Sequence, residues 1–234
     1  MKNWIKEAVI ISVALIICAW SMKGAVDRFI EKDRIVSVKG LAEKEVTADR
    51  VSWPIIYKEL GNDVTQIYNN INGKNSKIIG FLKKNGIEDK EISVTPANVI
   101  DLLADRYNNN VRQYRYNVTS IITVTSSKVE LVRKLIEDQA LLIKEGIAIT
   151  SEEYRYPSIQ YYYTSLNDIK PAMIEEATKN ARAAAEKFAK DSDSKLGKIK
   201  RANQGQFSIF NRDENTPYIK TVRVVTSIDY YLKN

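Results

Sequence analysis

The N-terminal part of the chain is dominated by an apolar run without a charged residue, Ala8–Trp20. A bilayer-spanning helix needs about 20 apolar residues, and the apolar region of a secretory signal needs about 7–15. No clean small-residue cleavage site follows the run, so the pattern predicts an uncleaved transmembrane or signal-anchor helix within residues 1–34. A cleaved signal peptide and a buried core helix are the alternatives. The residues assigned to the membrane anchor are Ala8, Ile11, Leu15, Ile17 and Trp20.

Beyond this segment the pattern changes to strands and amphipathic helices. Apolar and polar residues alternate from Val51 to Tyr57, which predicts a strand with Trp53 on its buried face. Pro54 lies inside this strand and favours an edge or a bulge, because proline has no backbone N–H to donate.

The remaining elements follow from helical periodicity and turn residues. Helices are expected over residues 63–86, 127–146 and 168–196, and further strands over 35–40, 92–103, 114–125, 147–163, 198–206 and 221–232. A capping box at Ser127–Glu130 is expected to open the second helix, and Gly146 to end it. The third helix is expected to bury a face that includes Ala177 and Phe188, and to end at Gly197. Helices interspersed with hairpins indicate an α+β class, a mainly antiparallel sheet with packed helices, in one domain over residues 35–234.

The composition excludes several classes of function, mainly because certain residue types are absent or rare. The 234 residues carry a net charge of +7, but the basic residues are too scattered to predict nucleic-acid binding. The sequence has no histidine, which excludes Ser-His-Asp and Cys-His catalysis and most zinc and non-haem iron sites. Cys18, the one cysteine, lies in the apolar run, so the rest of the chain cannot form an internal disulfide. We therefore expect no cofactor, no metal site and no enzymatic activity.

Two carboxylates flank the turn of the predicted hairpin, Asp101 and Asp105, and Asn108–Asn110 lie close by. Oxygen ligands of this kind can hold a hard cation, but the spacing matches no EF-hand loop. We favour a solvated turn. Catalysis by a Ser–Lys pair needs no histidine, yet no serine stands out as a nucleophile.

Tyrosines are concentrated in one short segment. The candidate interface residues are Tyr154, Tyr156, Tyr161 and Tyr163. Consecutive residues of a strand point to opposite faces, so some of these rings are expected to be exposed, while Tyr162 points the other way from Tyr161 and Tyr163. Aromatic side chains are favoured at protein interfaces, and packing at the edge of one domain is the alternative.

Four segments, in this order, resemble the SIMPL-domain family of bacterial envelope proteins. They are Val36–Asp49, the hairpin strands Ser93–Pro96 and Tyr114–Thr119, the alanine-rich helix Ala177–Lys187 running into Lys195–Ile199, and the closing alternating strand. The resemblance covers about residues 35–232. The chain departs from the family pattern at Ala48-Asp49, where Pro-Asp is usual, and at Tyr116-Asn117, where small residues are usual.

The resemblance implies an α+β fold, export, a tendency to form homo-oligomers and a role in envelope or oxidative stress, and it supplies no catalytic residue. We therefore expect a membrane-anchored, extracytoplasmic protein that acts through protein–protein contact. In a Gram-negative cell it would lie on the periplasmic side of the inner membrane. A binding module for a small envelope ligand of unknown identity, in a tyrosine-lined pocket, is the second hypothesis, and an enzyme without histidine is the third.

Overall fold

The computed structural model describes residues 2–31, 34–104, 113–150 and 158–233, which form an α+β fold with antiparallel sheets and packed helices. The helices are α1 (Lys2–Glu31), α2 (Val64–Lys84), α3 (Val129–Glu137), α4 (Ala140–Lys144) and α5 (Leu166–Asp191). The strands are β1 (Ile35–Thr47), β2 (Arg50–Gly61), β3 (Ile92–Asp101), β4 (Tyr116–Ser126), β5 (Gln160–Tyr162), β6 (Lys195–Gln204), β7 (Ser208–Asn211) and β8 (Ile219–Lys233).

The chain forms two compact units. Unit 1 contains Met1–Lys44, Asn167–Phe210 and Thr221–Asn234, and unit 2 contains Glu45–Leu166 and Asn211–Lys220. The predicted division into an anchor and a single domain at residue 34 stays a prediction.

The predicted membrane segment lies in α1. From Glu7 to Met22 every side chain of this helix is exposed, so the alternative of a buried core helix is wrong for these residues. Within the described part of the chain, no helix has both the length and the apolarity needed to cross a membrane. The predicted transmembrane or signal-anchor helix is therefore not supported; the charge-free run is shorter than the about 20 residues that a spanning helix needs.

Unit 1 is built on a sheet with the strand order β1-β8-β6, in which β7 also pairs with β8. Helix α5 packs closely on this sheet because small residues face each other. A Cβ atom at Gly40 would lie 1.8 Å from the carbonyl oxygen of Ala177 and 2.8 Å from Cβ of Ala181. The buried residues of α5 are Met173, Ala177, Ala181, Ala185 and Ala189.

Two expectations for α5 are wrong. Phe188 is 60% exposed rather than buried, because the buried stripe runs through Ala185 and Ala189. The helix ends at Asp191 rather than at Gly197, after which Asp193 takes a positive φ of 49° in the turn. Gly197 lies within β6, where a Cβ would come 2.7 Å from the carbonyl oxygen of Tyr231, so close strand packing explains this glycine.

Unit 2 is built on a sheet with the order β3-β4-β2-β5. The long pairing of β2 with β4 runs from Val51 opposite Ser126 to Gly61 opposite Tyr116. The predicted burial of Trp53 is confirmed, since its side chain is 2% exposed. The core that it joins includes Val51, Ile55 and Tyr57 of β2, Ile67, Ile71, Ile78 and Leu82 of α2, and Val132 and Leu135 of α3.

The helix predicted over 127–146 is two helices, because the chain turns at Asp138 and Gln139 between α3 and α4. The expected capping box is also wrong: Lys128 is the N-cap and makes no side-chain cap bond, while its own N–H donates to Ser126 Oγ at 2.9 Å. Gly146, with φ 80°, follows α4 as predicted. Of the strand predicted over 147–163, the structure shows an isolated bridge at Ile149 and the short β5.

Candidate functional site

A concave site of unit 2 lies beside β2. On one side of β2, strand β5 pairs with Arg50–Ser52, and the next pairing that the described residues make is the bridge between Tyr57 and Ile149. The stretch of β2 between these two pairings is called the β2 gap. Pro54 lies between these two points. Proline has no N–H to leave unpaired, so an interruption of pairing costs less at Pro54 than at another residue. On its other side Pro54 lies opposite Thr123 of β4 in regular register. The prediction that Pro54 favours an edge or a bulge stays a prediction.

A cavity of about 400 Å³ opens at this gap. Its walls are mostly apolar and aromatic, with three polar side chains among them. The lining residues are Trp53, Pro54, Ile56, Gln139, Ile149, Thr150, Ser158, Ile159, Tyr161 and Pro217. The volume is within the range of small-molecule pockets, roughly 300–1,000 Å³, and this mixture of walls suits an uncharged, planar group with a few hydrogen-bonding atoms.

Aromatic and cationic side chains stack behind one wall of the cavity. The rings of Tyr161 and Tyr218 meet edge to face, with centroids 6.2 Å apart. The guanidinium of Arg133 lies 3.6 Å from the centre of the Tyr218 ring and donates to both carboxylate oxygens of Glu130, at 3.0 and 2.9 Å. Burial raises the pKa of Tyr161, so its phenol is neutral at neutral pH. This wall therefore presents a fixed, uncharged ring to the cavity.

A second polar cluster joins α2 to the sheet. The hydroxyl of Tyr57 lies 2.7 Å from Asn75 Oδ1 and 3.0 Å from the carbonyl oxygen of Ile71, and it can donate to either. Ser120 Oγ donates to the same oxygen of Asn75 at 3.1 Å. Burial raises the pKa of Tyr57. With its polar atoms satisfied inside the core, this cluster orients α2 and offers no reactive group.

Asp49 holds the chain just before α5. Its carboxylate accepts hydrogen bonds from the N–H of Thr164 at 2.8 Å and of Ser165 at 2.8 Å, and from Thr164 Oγ1 at 3.0 Å. Burial alone would raise its pKa, but the bonds from Ser165 and Thr164 outweigh this and hold the pKa of Asp49 below its ordinary value. An ionised carboxylate at this position fixes the backbone of Thr164 and Ser165 just before α5. It gives a role to the Asp of the Ala48-Asp49 pair singled out in the sequence.

Lys220 is a buried lysine at the start of β8. Its ammonium group donates to Asn211 Oδ1 at the end of β7, and burial lowers its pKa. A lysine with a lowered pKa can act as a nucleophile when a substrate reaches it. Since the side chain is almost inaccessible, we assign it the structural role of tying β7 to β8.

The predicted interface tyrosines are only partly visible. Tyr154 and Tyr156 lie outside the described residues. Tyr161 and Tyr163 are half-buried, and Tyr161 packs against the core of unit 2. Tyr162, chosen as the residue on the opposite face, is 47% exposed. An interface in this segment stays a prediction, and among its described tyrosines Tyr162 has the most exposed ring.

The other predicted positions are scattered. The anchor residues Ala8, Ile11, Leu15, Ile17 and Trp20 are all exposed on α1. Asp101 pairs with Arg115 at 2.9 Å and accepts from the N–H of Leu103 at 3.0 Å, as a turn residue does. Asp105 and Asn108–Asn110 lie outside the described residues. Among those that the structure does describe, no three potential metal-ligand side chains cluster.

Sequence reasoning missed the cavity at the β2 gap, although Pro54, which lines it, was noted as favouring an edge or a bulge. A proline within a strand pattern has no backbone N–H to donate, so it favours a position where pairing is interrupted. The cavity is also lined by Ile149 and Ile159, about a hundred residues later in the sequence.

The sequence model of the SIMPL family, which is described as a protein of unknown function (DUF541), matches residues 36–225 of the chain. The match covers most of the 234 residues, so the chain belongs to the SIMPL family, as its four characteristic segments indicated. No curated protein matches the chain.

Proposed function

We propose that this SIMPL-family protein is a non-catalytic contact protein whose copies associate through the free edge of β3. In the sheet that the described residues form, strand β3 is at one end and pairs with β4 on one side. An exposed strand edge presents backbone N–H and C=O groups that pair readily with a strand from another molecule. This edge is the observation that carries the proposal.

The side chains of β3 favour such pairing. No charged residue occurs from Ser93 to Ile100. Val94 is 45% exposed and Val99 is 49% exposed, although their partners on β4, Ile122 and Val118, are buried. The apolar face of the core therefore continues to the sheet margin and remains half uncovered. A second copy that added a strand here would cover it.

Irregular pairing limits how far such an edge extends. The register of β3 against β4 shifts between Thr95 and Asn98, around Pro96. Bulges and prolines are devices that restrict edge-to-edge aggregation. A short pairing surface supports a closed homo-oligomer of defined size rather than an open-ended fibre.

Charge on this edge is expected to dissociate the oligomer. The variant Val94→Lys with Val99→Lys places two ammonium groups at this edge, where on association they either face the same groups of the next copy or lose their water. The fold should tolerate the change, because both valine side chains are about half exposed. We expect at least a 30-fold weaker association, the equivalent of about 2 kcal/mol. Sedimentation of the full chain in a non-ionic detergent measures it as a shift towards the 26.7 kDa monomer.

The controls place lysine at exposed apolar residues away from β3, Leu60→Lys and Tyr68→Lys. An unchanged mass in the β3 variant, or an equal loss in the controls, would contradict the proposal. Dissociation by Tyr162→Ala alone would move the interface to the tyrosine segment.

We further propose that α1 attaches the protein to a membrane and that the rest of the chain lies outside the cytoplasm. The support is the apolar surface of α1, which is exposed on all sides of the helix from Ala8 to Met22. The exposed apolar residues include Val9, Ile10, Ile11, Val13, Leu15, Ile16 and Ile17. A helix that is apolar all round is covered by protein or by lipid, whereas a single protein contact covers one side.

Lysine in the middle of this run should release the chain from membranes. Lysine at Ile11 and Leu15 puts two charged groups on the apolar surface that would contact lipid, so Ile11→Lys with Leu15→Lys is expected to move most of the protein to the soluble fraction. The control Phe188→Lys with Tyr68→Lys changes exposed apolar residues elsewhere and should stay with the membranes. Release of the unaltered chain by alkaline carbonate would contradict membrane attachment.

A small planar ligand in the β2-gap cavity is the second candidate function, supported by the aromatic walls and volume given above. Native mass spectrometry distinguishes the two, because a bound ligand adds a fixed mass to each chain whether or not the chains associate.

A further inference from the structure

A groove between the C-terminal half of α2 and α4 has no role in the functions proposed above. Its volume is about 540 Å³, and both of its walls belong to unit 2. Lys77, Gly80, Phe81 and Lys84 line one wall because their spacing of three and four residues places them on one face of α2. Leu141, Lys144 and Glu145 of the α4 segment line the other.

The floor of the groove is apolar and open. Phe81 is half-buried against the core, and Leu141, across from it on α4, is 47% exposed. Gly80 adds no side chain, and a Cβ built there would have no atom within 4 Å. An uncovered apolar surface beside a glycine, in a groove of this volume, fits an alkyl chain.

The rim of the groove is positively charged. The rim has one acidic residue, Glu145, and three lysines, Lys77, Lys84 and Lys144. The carboxylate of Glu145 lies 3.7 Å from the Lys77 ammonium group. Within the described part of the chain, no ion pair involves Lys84 or Lys144. A cleft with low-dielectric walls and charge of one sign concentrates ligands of the opposite sign.

We propose that this groove binds a single-chain anionic amphiphile of the fatty-acid class. The alkyl chain lies on Phe81 and Leu141, and the carboxylate lies between the ammonium groups of Lys84 and Lys144. The apolar floor predicts that affinity rises with chain length, by about fourfold for each added methylene that becomes buried. The lysine rim predicts that a carboxylate binds better than an alcohol of the same length, and that added salt reduces this difference.

The test is calorimetric titration of the full chain in a non-ionic detergent with octanoate, decanoate and decanol, with titrations into empty micelles subtracted. Gly80→Leu fills the groove and should weaken decanoate binding at least tenfold. Gly73→Leu is the matched control, because Gly73 lies seven residues earlier on the same side of α2, outside the groove, also with open space around it. Leucine favours a helix more than glycine, so both variants should stay folded.

Lys84→Gln with Lys144→Gln should bring decanoate down to the affinity of decanol. The proposal is overturned if decanoate binds Gly80→Leu as it binds the unaltered chain, if decanol binds the unaltered chain as well as decanoate does, or if no binding is found. Sedimentation without ligand gives a further check: a lower oligomer mass for Gly80→Leu than for Gly73→Leu would place a second copy of the chain in the groove and overturn the proposal.

Discussion

Replacing Trp53 by alanine should lower the free energy of unfolding by about 3–5 kcal/mol, the range for deleting a large buried aromatic side chain. Trp53 is 2% exposed and belongs to the core that joins β2 to α2 and α3. The cavity left by the indole cannot close easily, because β2 is paired with β4 from Val51 to Gly61. Urea unfolding followed by far-UV circular dichroism measures the change without depending on the tryptophan signal.

The matched control is Leu60→Ala, on the same strand, where the side chain is exposed. Its effect should stay within about 0.5 kcal/mol, as for most surface substitutions. A loss of less than about 1 kcal/mol in Trp53→Ala would show that Trp53 is not a core residue in solution.

Gly40→Ala should destabilise unit 1 by roughly 3 kcal/mol, the upper end of the cost of overpacking. The new methyl group would stand 1.8 Å from the carbonyl oxygen of Ala177 and 2.5 Å from the N atom of Ala181. Both are backbone atoms of α5, so relief requires the whole helix to move off the sheet. That movement would also strain the bond from Asn180 Nδ2 to the carbonyl oxygen of Leu41, now 2.8 Å long.

Hydrogen exchange should report this movement as lost protection of the amides of α5, alongside the lower urea midpoint. Gly73→Ala introduces the same methyl group into α2, where nothing lies within 4 Å. It should be neutral or stabilising by up to about 1 kcal/mol. If Gly40→Ala unfolds at the same urea concentration as the unaltered chain, the close approach of α5 to β1 is not present in solution.

Elements whose ends depend on neighbouring residues could be predicted from the sequence. The sequence offers Asp63 or Thr65 as the cap of α2, and the structure shows Asp63 accepting from the N–H groups of Thr65 and Gln66. Gly86, with φ 91°, follows the end of the helix, as its sequence pattern indicates. The buried face of β2 was equally predictable. Caps and alternating faces depend on residues a few positions apart, so they can be recognised without knowing the rest of the fold.

Helical periodicity was less reliable where several faces are apolar. Phe188 and Ala189 are both apolar, but the buried stripe of α5 runs at four-residue steps through Ala181, Ala185 and Ala189, and Phe188 lies beside it. The sheet approaches this stripe closely at Gly40, which contacts Ala177 and Ala181. Gly197 looked like a helix end, yet it serves the close pairing of β6 and β8. In each case the deciding atoms come from a strand distant in the sequence.

The candidate sites, too, depend on contacts between segments that are distant in the sequence. Pro54 favoured an edge or a bulge, but the cavity also depends on β5, which pairs with Arg50–Ser52, and on Ile149, which pairs with Tyr57. The α2–α4 groove requires the chain to turn at Asp138 and Gln139, where a single helix was expected.

The sequence by itself determined the family, the α+β class, the extent of α2 and the buried face of β2, because these follow from ordered motifs and from side-chain periods spanning a few residues. The tertiary structure alone decided which apolar residues stay uncovered. Val94, Val99 and Leu141 look like core residues in the sequence, yet each lies where the packing ends. Burial depends on what distant segments cover, and a local pattern contains no information on that.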